Sequence, residues 1–176
     1  MSQPQKSKSL WALAVFGGAA VAAGLYGARY SPKDRQTRIW YSRLQKPSYT
    51  PPSYVFPIVW TILYSMIAVS GWRVWSAQPS WRRRKALRLW AEQLIANAKW
   101  TKLFFGQHRP KLALLDVIAM EGIILEYISV ANKVDRTAAL LFVPYMGWVG
   151  FAILLNAEIA LLNPDAPYKF PKPRVA

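Results

Sequence analysis

Apolar residues follow one another in five long blocks along this chain, instead of recurring every three or four positions as on the helices of soluble proteins. The blocks are Leu10–Ala28, Tyr54–Trp75, Ala86–Gly106, Lys111 to about Asn132, and Thr137–Leu162. Each is close to the roughly 20 residues that a helix needs to cross a bilayer. The pattern predicts an all-α fold, a bundle of five transmembrane helices at residues 10–163, with tails at 1–9 and 164–176.

The first block could also be read as a signal peptide, because Lys6 and Lys8 precede it. Signal peptides have a shorter apolar core, of roughly 7–15 residues. The uncharged run Leu10–Ala28 therefore favours a retained helix. Small residues recur along it at every fourth place, which predicts close packing of this helix against a neighbour. The two stripes are Ala14, Gly18, Ala22 and Ala20, Gly24, Ala28.

The connection between the first two blocks, residues 29–53, is long, whereas the other connections are short. Short connections predict that helices two to five pack as antiparallel neighbours. The long connection ends in the proline-rich stretch "QKPSYTPPSYVFP", and proline both fixes φ and lacks an N–H. We therefore predict a stiff, non-helical lid over one end of the bundle. The lid residues are Lys46, Pro47, Tyr49, Pro51 and Pro52.

The chain carries 23 Lys and Arg against 8 Asp and Glu, a formal net charge of +15. This charge does not by itself indicate nucleic-acid binding, because the apolar blocks point to a bilayer, and no nucleic-acid partner is predicted. Basic residues divide almost evenly between the two predicted sides, so the positive-inside rule gives no orientation. Cysteine is absent, which excludes disulfides and thiolate metal sites.

Charged residues inside the predicted spans are unexpected, because each unpaired charge at mid-bilayer costs roughly 2.5–3.5 kcal/mol. They are Glu92, Lys99, Lys102, Asp116, Glu121, Glu126 and Glu158. Helix geometry places Asp116 at the depth of Lys99 or Lys102, and Glu126 at the depth of Arg88. Arg88 and Glu92 are also spaced to pair on one helix. Interhelical ion pairs, a wet cavity, and a soluble helical bundle all remain open as explanations, since the mean hydropathy is only +0.10.

The single histidine, His108, lies in a tight connection, so neither a metal site nor a histidine-based catalytic relay is predicted. No cofactor is required by the sequence. Aromatic residues instead gather near the long connection and on helices three and five, with Trp60 and Tyr64 sharing one helix face. Such residues line pockets for flat apolar ligands, although interfacial aromatic belts would also account for many of them. The predicted ligand-binding residues from this pattern are Tyr54, Phe56, Trp60, Tyr64, Asn97, Trp100, Phe104, Trp148 and Phe151.

Three stretches make the chain recognisable: "WYSRLQKPSYTPPSYVFPIVWTILY", "FFGQHRPKLALLD" and "LLFVPYMGWVGFAILLNAEIALLN". In this order and spacing, from about Ala12 to Pro164, the chain resembles the translocator protein family, also called TspO or tryptophan-rich sensory protein. The resemblance implies a five-helix membrane bundle, often dimeric, that binds porphyrins such as protoporphyrin IX, cholesterol and benzodiazepine-type ligands. It also implies an integral membrane protein of the bacterial envelope, or of the mitochondrial outer membrane in a eukaryote.

The resemblance places Trp148, Asn97 and Trp100 on pocket positions of the family, and adds Ala152 and Leu155 to the predicted ligand-binding residues. Some bacterial members are linked to light-dependent porphyrin breakdown, which involves a tryptophan pair. Trp148 matches one member of that pair, whereas Tyr54 replaces the other. The leading hypothesis is therefore a porphyrin-binding protein with a sensing or transport role. A light-dependent porphyrin-degrading enzyme, using Trp148 with Tyr54, is the alternative, and no catalytic residue is firmly predicted.

Overall fold

The computed structural model describes residues 4–32 and 35–164, and every regular element within them is a helix. In chain order these are α1 (Pro4–Ala28), α2 (Arg35–Arg43), α3 (Val55–Ser76), α4 (Trp81–Thr101), a π-helical turn (Lys102–Gly106), α5 (Pro110–Asn132) and α6 (Arg136–Leu162). The all-α prediction is confirmed for this part of the chain. Within the predicted tail at 1–9, residues 4–9 continue α1, and residues 165–176 of the predicted tail at 164–176 lie outside the described residues.

Helix starts are set by capping side chains that the apolar pattern did not take into account. The Ser80 hydroxyl accepts a hydrogen bond from the Arg83 N–H at 3.1 Å, so α4 begins at Trp81, five residues before the predicted block. Asp135 caps α6 in the same way, accepting from the Ala138 N–H at 2.8 Å. Helix α5 begins with Pro110, whose missing N–H costs nothing at that position.

Three helical segments are long and apolar enough to cross a membrane: Leu10–Ala28, Val55–Ser76 and Arg136–Leu162. They correspond to the first, second and fifth predicted spans. Among the described residues, α4 and α5 do not meet the same criterion, because charged side chains interrupt their apolar runs. These three spans favour an integral membrane protein over the soluble-bundle alternative.

The long helices pack into one bundle. Helix α5 lies along both α4 and α6, α1 lies along α3 and α4, and α3 also contacts α6. The interior is filled by large side chains, of which Tyr127, Phe142 and Tyr145 are fully buried. Gly71 on α3 lets aromatic rings approach its backbone, since a Cβ there would lie 2.5 Å from Phe16 and 2.7 Å from Trp90.

Only part of the predicted small-residue packing on α1 is found. Ala20 is buried, and a Cβ on Gly24 would lie 3.1 Å from the Tyr64 ring, so this stripe packs against the bundle. The other stripe, Ala14, Gly18 and Ala22, is exposed, and a Cβ on Gly18 would meet nothing within 4 Å, so the structure shows no close packing at Gly18 within the described chain. The reason is the rotation of α1 about its own axis. Phe16 faces the core, so the stripe on the opposite side of the helix faces outward.

Ion pairs account for most of the charges on α4 and α5. Lys99 Nζ lies 2.7 Å from Asp116 Oδ1, and Arg88 pairs with Glu92 at 3.3 Å, so both predictions are confirmed. The predicted pairing of Glu126 with Arg88 is wrong, because Lys85 Nζ takes that carboxylate at 2.6 Å. Lys85 precedes Arg88 by about one turn on the same face of α4. Matching residues by their depth along the two helices does not distinguish positions that are one turn apart.

Candidate ligand site

The long link carries a short helix, α2, that anchors it to the bundle. Thr37 and Trp40 are the buried residues of α2, and Leu44 follows on the same face. The Trp40 ring stacks on His108 with centroids 4.3 Å apart and meets the edge of Phe104 at 5.7 Å. One buried tryptophan therefore fixes the link against the connection between α4 and α5.

The middle of the link is tied to the last turn of α6 by two reciprocal hydrogen bonds. The Gln45 N–H donates to Asn163 Oδ1 at 3.0 Å, and Asn163 Nδ2 donates to the Gln45 carbonyl at 2.9 Å. Asn163 is also the C-cap of α6, where its amide group donates to the Ile159 carbonyl at 2.8 Å. A single buried side chain therefore ends the helix and holds the link.

The predicted lid residues follow this tether. Pro47 is buried and accepts hydrogen bonds from both the N–H and the hydroxyl of Thr50, at 3.1 and 2.7 Å, which closes a tight turn. Tyr49 then donates its hydroxyl to Glu158 Oε2 at 2.6 Å and places its ring 6.2 Å from Phe151. Pro51 is half-buried, whereas Pro52 is exposed. Among the lid residues, Tyr49 therefore makes the contact with α6, through Glu158 and Phe151.

Lys46 folds back onto earlier residues of the link. Its ammonium group is 4.5 Å from the centre of the Tyr41 ring and donates to the Leu44 carbonyl at 3.3 Å. Partial burial lowers the pKa of Lys46 from its usual range, because desolvation disfavours the charged form. A carboxylate that reached this ammonium would restore the lost solvation.

Beneath the link, rings from α3 and α6 form one half of an aromatic cluster. Phe56 meets Trp148 with centroids 5.9 Å apart, and Trp148 lies 5.6 Å from Phe151. All three side chains are half-buried. Ala152, also half-buried, follows them on α6, and Leu155 is buried one turn further along.

The other half of the aromatic cluster comes from α4 and the π-helical turn. Trp100 stacks on Phe104 at 5.3 Å and donates its indole N–H to Asn156 Oδ1 at 3.1 Å. The Asn156 amide in turn donates to the Pro110 carbonyl at 2.9 Å. Phe56, Trp100 and Phe151 all pack against the small core that contains Phe104 and Leu155, so the two halves meet.

A buried polar network lies next to the aromatic cluster, further from the link. Tyr64 donates its hydroxyl to Asn97 Oδ1 at 2.9 Å, and Asn97 Nδ2 donates to the Tyr145 hydroxyl oxygen at 3.2 Å. Trp60 stacks on Tyr64 at 5.3 Å and meets Tyr145 edge-on at 6.2 Å. Three helices therefore join at Asn97, and an indole covers the network.

Ten of the eleven predicted ligand-binding residues lie in the aromatic cluster, in the polar network or beside them on α6. Tyr54 does not, because it is the N-cap of α3, is 67% exposed, and makes none of the ring contacts found among the described residues. The sequence prediction missed the anchoring roles of Trp40, Glu158 and Asn163. Trp40 could have been found from the spacing of Thr37, Trp40 and Leu44, whereas no local pattern identifies the other two.

The helical fold, its apolar spans and an interior lined with aromatic rings define an integral membrane protein. The sequence profile of the TspO/MBR family matches residues 12–162. The chain is 35% identical over 161 residues to the tryptophan-rich protein TspO of Chlorobaculum tepidum, covering 90% of this chain and 99% of that protein. It is 36% identical over 157 residues to protein CrtK of Rhodobacter capsulatus, covering 89% and 95%. It is 32% identical over 135 residues to the translocator protein of Bos taurus, covering 76% and 79%. This protein therefore belongs to the TspO/MBR family.

Proposed function

We propose that this protein crosses the membrane with all five long helices and binds a flat, mostly apolar ring system, a porphyrin such as protoporphyrin IX. The observation that carries the proposal is the convergence of rings from α3, α4 and α6 beside the buried Asn97 network. A planar ligand needs stacking surfaces and a few fixed polar groups, and this end of the bundle supplies both. Relatives named as sensory and translocator proteins support a role in sensing or transport.

Ion pairing supports the proposal that α4 and α5 cross the bilayer. The Lys99–Asp116, Lys85–Glu126 and Arg88–Glu92 pairs neutralise most of the charges that interrupt the two helices. Pairing reduces the cost of placing each charge in lipid. Homodimer formation and the identity of the host membrane stay predictions.

The link is proposed to act as a lid over the ligand. Its turn at Pro47 and its ties to Asn163 and Glu158 order the backbone before a ligand arrives. Pre-ordering lowers the entropy cost of binding. Lys46 is proposed to meet a propionate carboxylate of the porphyrin at the water boundary, where its own desolvation favours such a contact.

The test is a titration of detergent-purified protein with protoporphyrin IX, followed by quenching of tryptophan fluorescence. Trp148→Ala is expected to raise the dissociation constant about three- to tenfold, because it removes one stacking ring. Trp81→Ala, an exposed indole at the other end of the bundle, is the matched control and should bind as the unaltered protein does. Equal effects of the two substitutions would contradict the proposed site.

The same titration compares ligand classes. Cholesterol and a benzodiazepine-type ligand are added as competitors, and displacement of the porphyrin would place them in the same site. Tyr54 is exposed and has no ring contact with Trp148 among the described residues, which supports our proposal of binding over the degradative alternative. Loss of the porphyrin Soret band under illumination, dependent on Trp148, would reverse that preference.

A further inference from the structure

At the end of the bundle opposite the link, the connection between α3 and α4 gathers cations and indoles. We call this set the arginine collar; it consists of Trp75, Trp81, Arg82, Arg83 and Arg84. The Arg82 guanidinium lies 5.0 Å from the Trp81 ring centre, and the Arg83 guanidinium lies 4.8 Å from that of Trp75. The two indoles are 49% and 57% exposed, and so remain open to an incoming partner.

The three arginines have no carboxylate within ion-pair distance in the part of the chain that the structure describes. Neighbouring cations do have such partners, since Arg73 binds Asp135 and Lys85 binds Glu126. The arginines of the collar therefore carry uncompensated positive charge, whereas the neighbouring cations are neutralised by ion pairs.

The position of the collar on α4 adds to its positive potential. A helix N-terminus carries a partial positive charge and is stabilised by acids and destabilised by cations. The first turn of α4 contains no acid, and Arg82, Arg83 and Arg84 occupy it together. These charges therefore destabilise the start of α4. A bound anion would offset that loss of helix stability.

The collar also lies at the level where a lipid headgroup would be. Trp75 is the penultimate residue of the apolar span Val55–Ser76, so the arginines follow directly after the hydrocarbon region ends. Trp75 lies 6.4 Å from Phe16 on α1, and the exposed Trp11 lies five residues before Phe16, nearer the same end of the bundle. Exposed tryptophans at this level are typical of the bilayer interface.

We propose that the arginine collar is a binding site for anionic phospholipid headgroups. The guanidinium groups donate to phosphate oxygens, and the indoles occupy the adjacent interface. A lipid is the occupant because the collar adjoins a span and includes two exposed indoles. Each cation near an anionic bilayer surface strengthens the attraction by about fivefold.

The experiment uses the full chain reconstituted in phosphatidylcholine vesicles with a trace of spin-labelled lipid. Electron paramagnetic resonance gives the fraction of label immobilised at the protein for phosphatidylglycerol and for phosphatidylcholine with the same acyl chains. The ratio of the two association constants is expected to favour phosphatidylglycerol severalfold. It should fall as salt is raised from about 0.05 M to about 1 M, because screening weakens exposed charge contacts.

Paired variants separate a site from a simple effect of net charge. Arg82→Gln with Arg84→Gln should lower the ratio by at least about threefold, whereas lysine at both positions should preserve most of it. Arg35→Gln with Arg38→Gln, on exposed positions of α2, removes the same charge from the other end and should lower the ratio less than the collar variant does.

Two results would overturn the proposal. One is an unaltered protein that shows no preference for phosphatidylglycerol, which is also the result expected if the collar binds a soluble polyanion instead. The other is an equal loss of preference in the collar and α2 variants. If the glutamine variant fails to fold in a thermal melt, the salt dependence of the unaltered protein and the lysine variant decide the question.

Discussion

Replacing Asn97 with leucine tests the buried network that joins three helices. The substitution removes the acceptor of the Tyr64 hydroxyl, at 2.9 Å, and the donor to the Tyr145 oxygen, at 3.2 Å. Tyr145 keeps its contact with Met120 Sδ at 3.5 Å, so Tyr64 is the group left with an unpaired donor.

The expected loss follows from that count. An unpaired buried donor costs about 1–3 kcal/mol in soluble proteins. Hydrogen bonds between membrane helices average about 0.6 kcal/mol, with a maximum near 1.7. Two lost bonds with one donor unpaired therefore predict a decrease of about 1–3 kcal/mol in the free energy of unfolding. Tyr64→Phe removes only one of the bonds and should cost less.

The assay is reversible unfolding by SDS in mixed micelles, followed by far-ultraviolet circular dichroism. The double variant completes a mutant cycle, in which Tyr64→Phe should cost little once Asn97 is already leucine. A coupling of about 1 kcal/mol is expected for the shared hydrogen bond. The network would carry no energy if Asn97→Leu unfolded at the same SDS fraction as the unaltered protein, or if the coupling were zero.

Three further predictions use stability as the readout. Gly71→Ala should lower the free energy of unfolding by about 1–3 kcal/mol, because its Cβ would meet two aromatic rings; Gly122→Ala, whose Cβ would meet nothing within 4 Å beyond its own helix backbone and chain neighbours, should be neutral or stabilising. Lys99→Met should destabilise more than Lys99→Met with Asp116→Asn, because the single change leaves a buried carboxylate unpaired; the reverse order in thermal melts would disprove this. Burial raises the pKa of Asp135, but hydrogen bonds from a guanidinium and a backbone N–H outweigh it and hold the pKa below the usual 3.8. Its stabilising effect is present above that pH and is lost as the pH falls through the folded value, so the advantage over Asp135→Asn should vanish in acid melts.

The sequence predicts the long helices well because their signal is local. Each apolar block is bounded by proline, glycine or charged residues, and the five predicted blocks match five long helices. Helix α2 was missed, since nine residues with three arginines carry no such block. The early start of α4 was missed for a related reason. Its first turn is basic and therefore lies outside the apolar block, so the Ser80 N-cap is the only local signal for the start of the helix.

In the candidate site, too, contacts with a local sequence signal were predicted and contacts between distant segments were not. Pairs on one helix, such as Trp60 with Tyr64 and Trp100 with Phe104, follow from i, i+4 spacing and are found in contact. Contacts between distant segments, such as that of Tyr49 with Glu158, depend on how the link folds back, which no local pattern encodes.

The Gln45–Asn163 tether has a consequence for biosynthesis. Its partners are 118 residues apart, and Asn163 follows the final helix. A ribosome therefore has to add α3 to α6 before this tether can form, whereas the contacts of Trp40 with Phe104 and His108 can form earlier. A nonsense codon a few positions before Asn163 would therefore remove this tether while retaining α1 to α5 and most of α6.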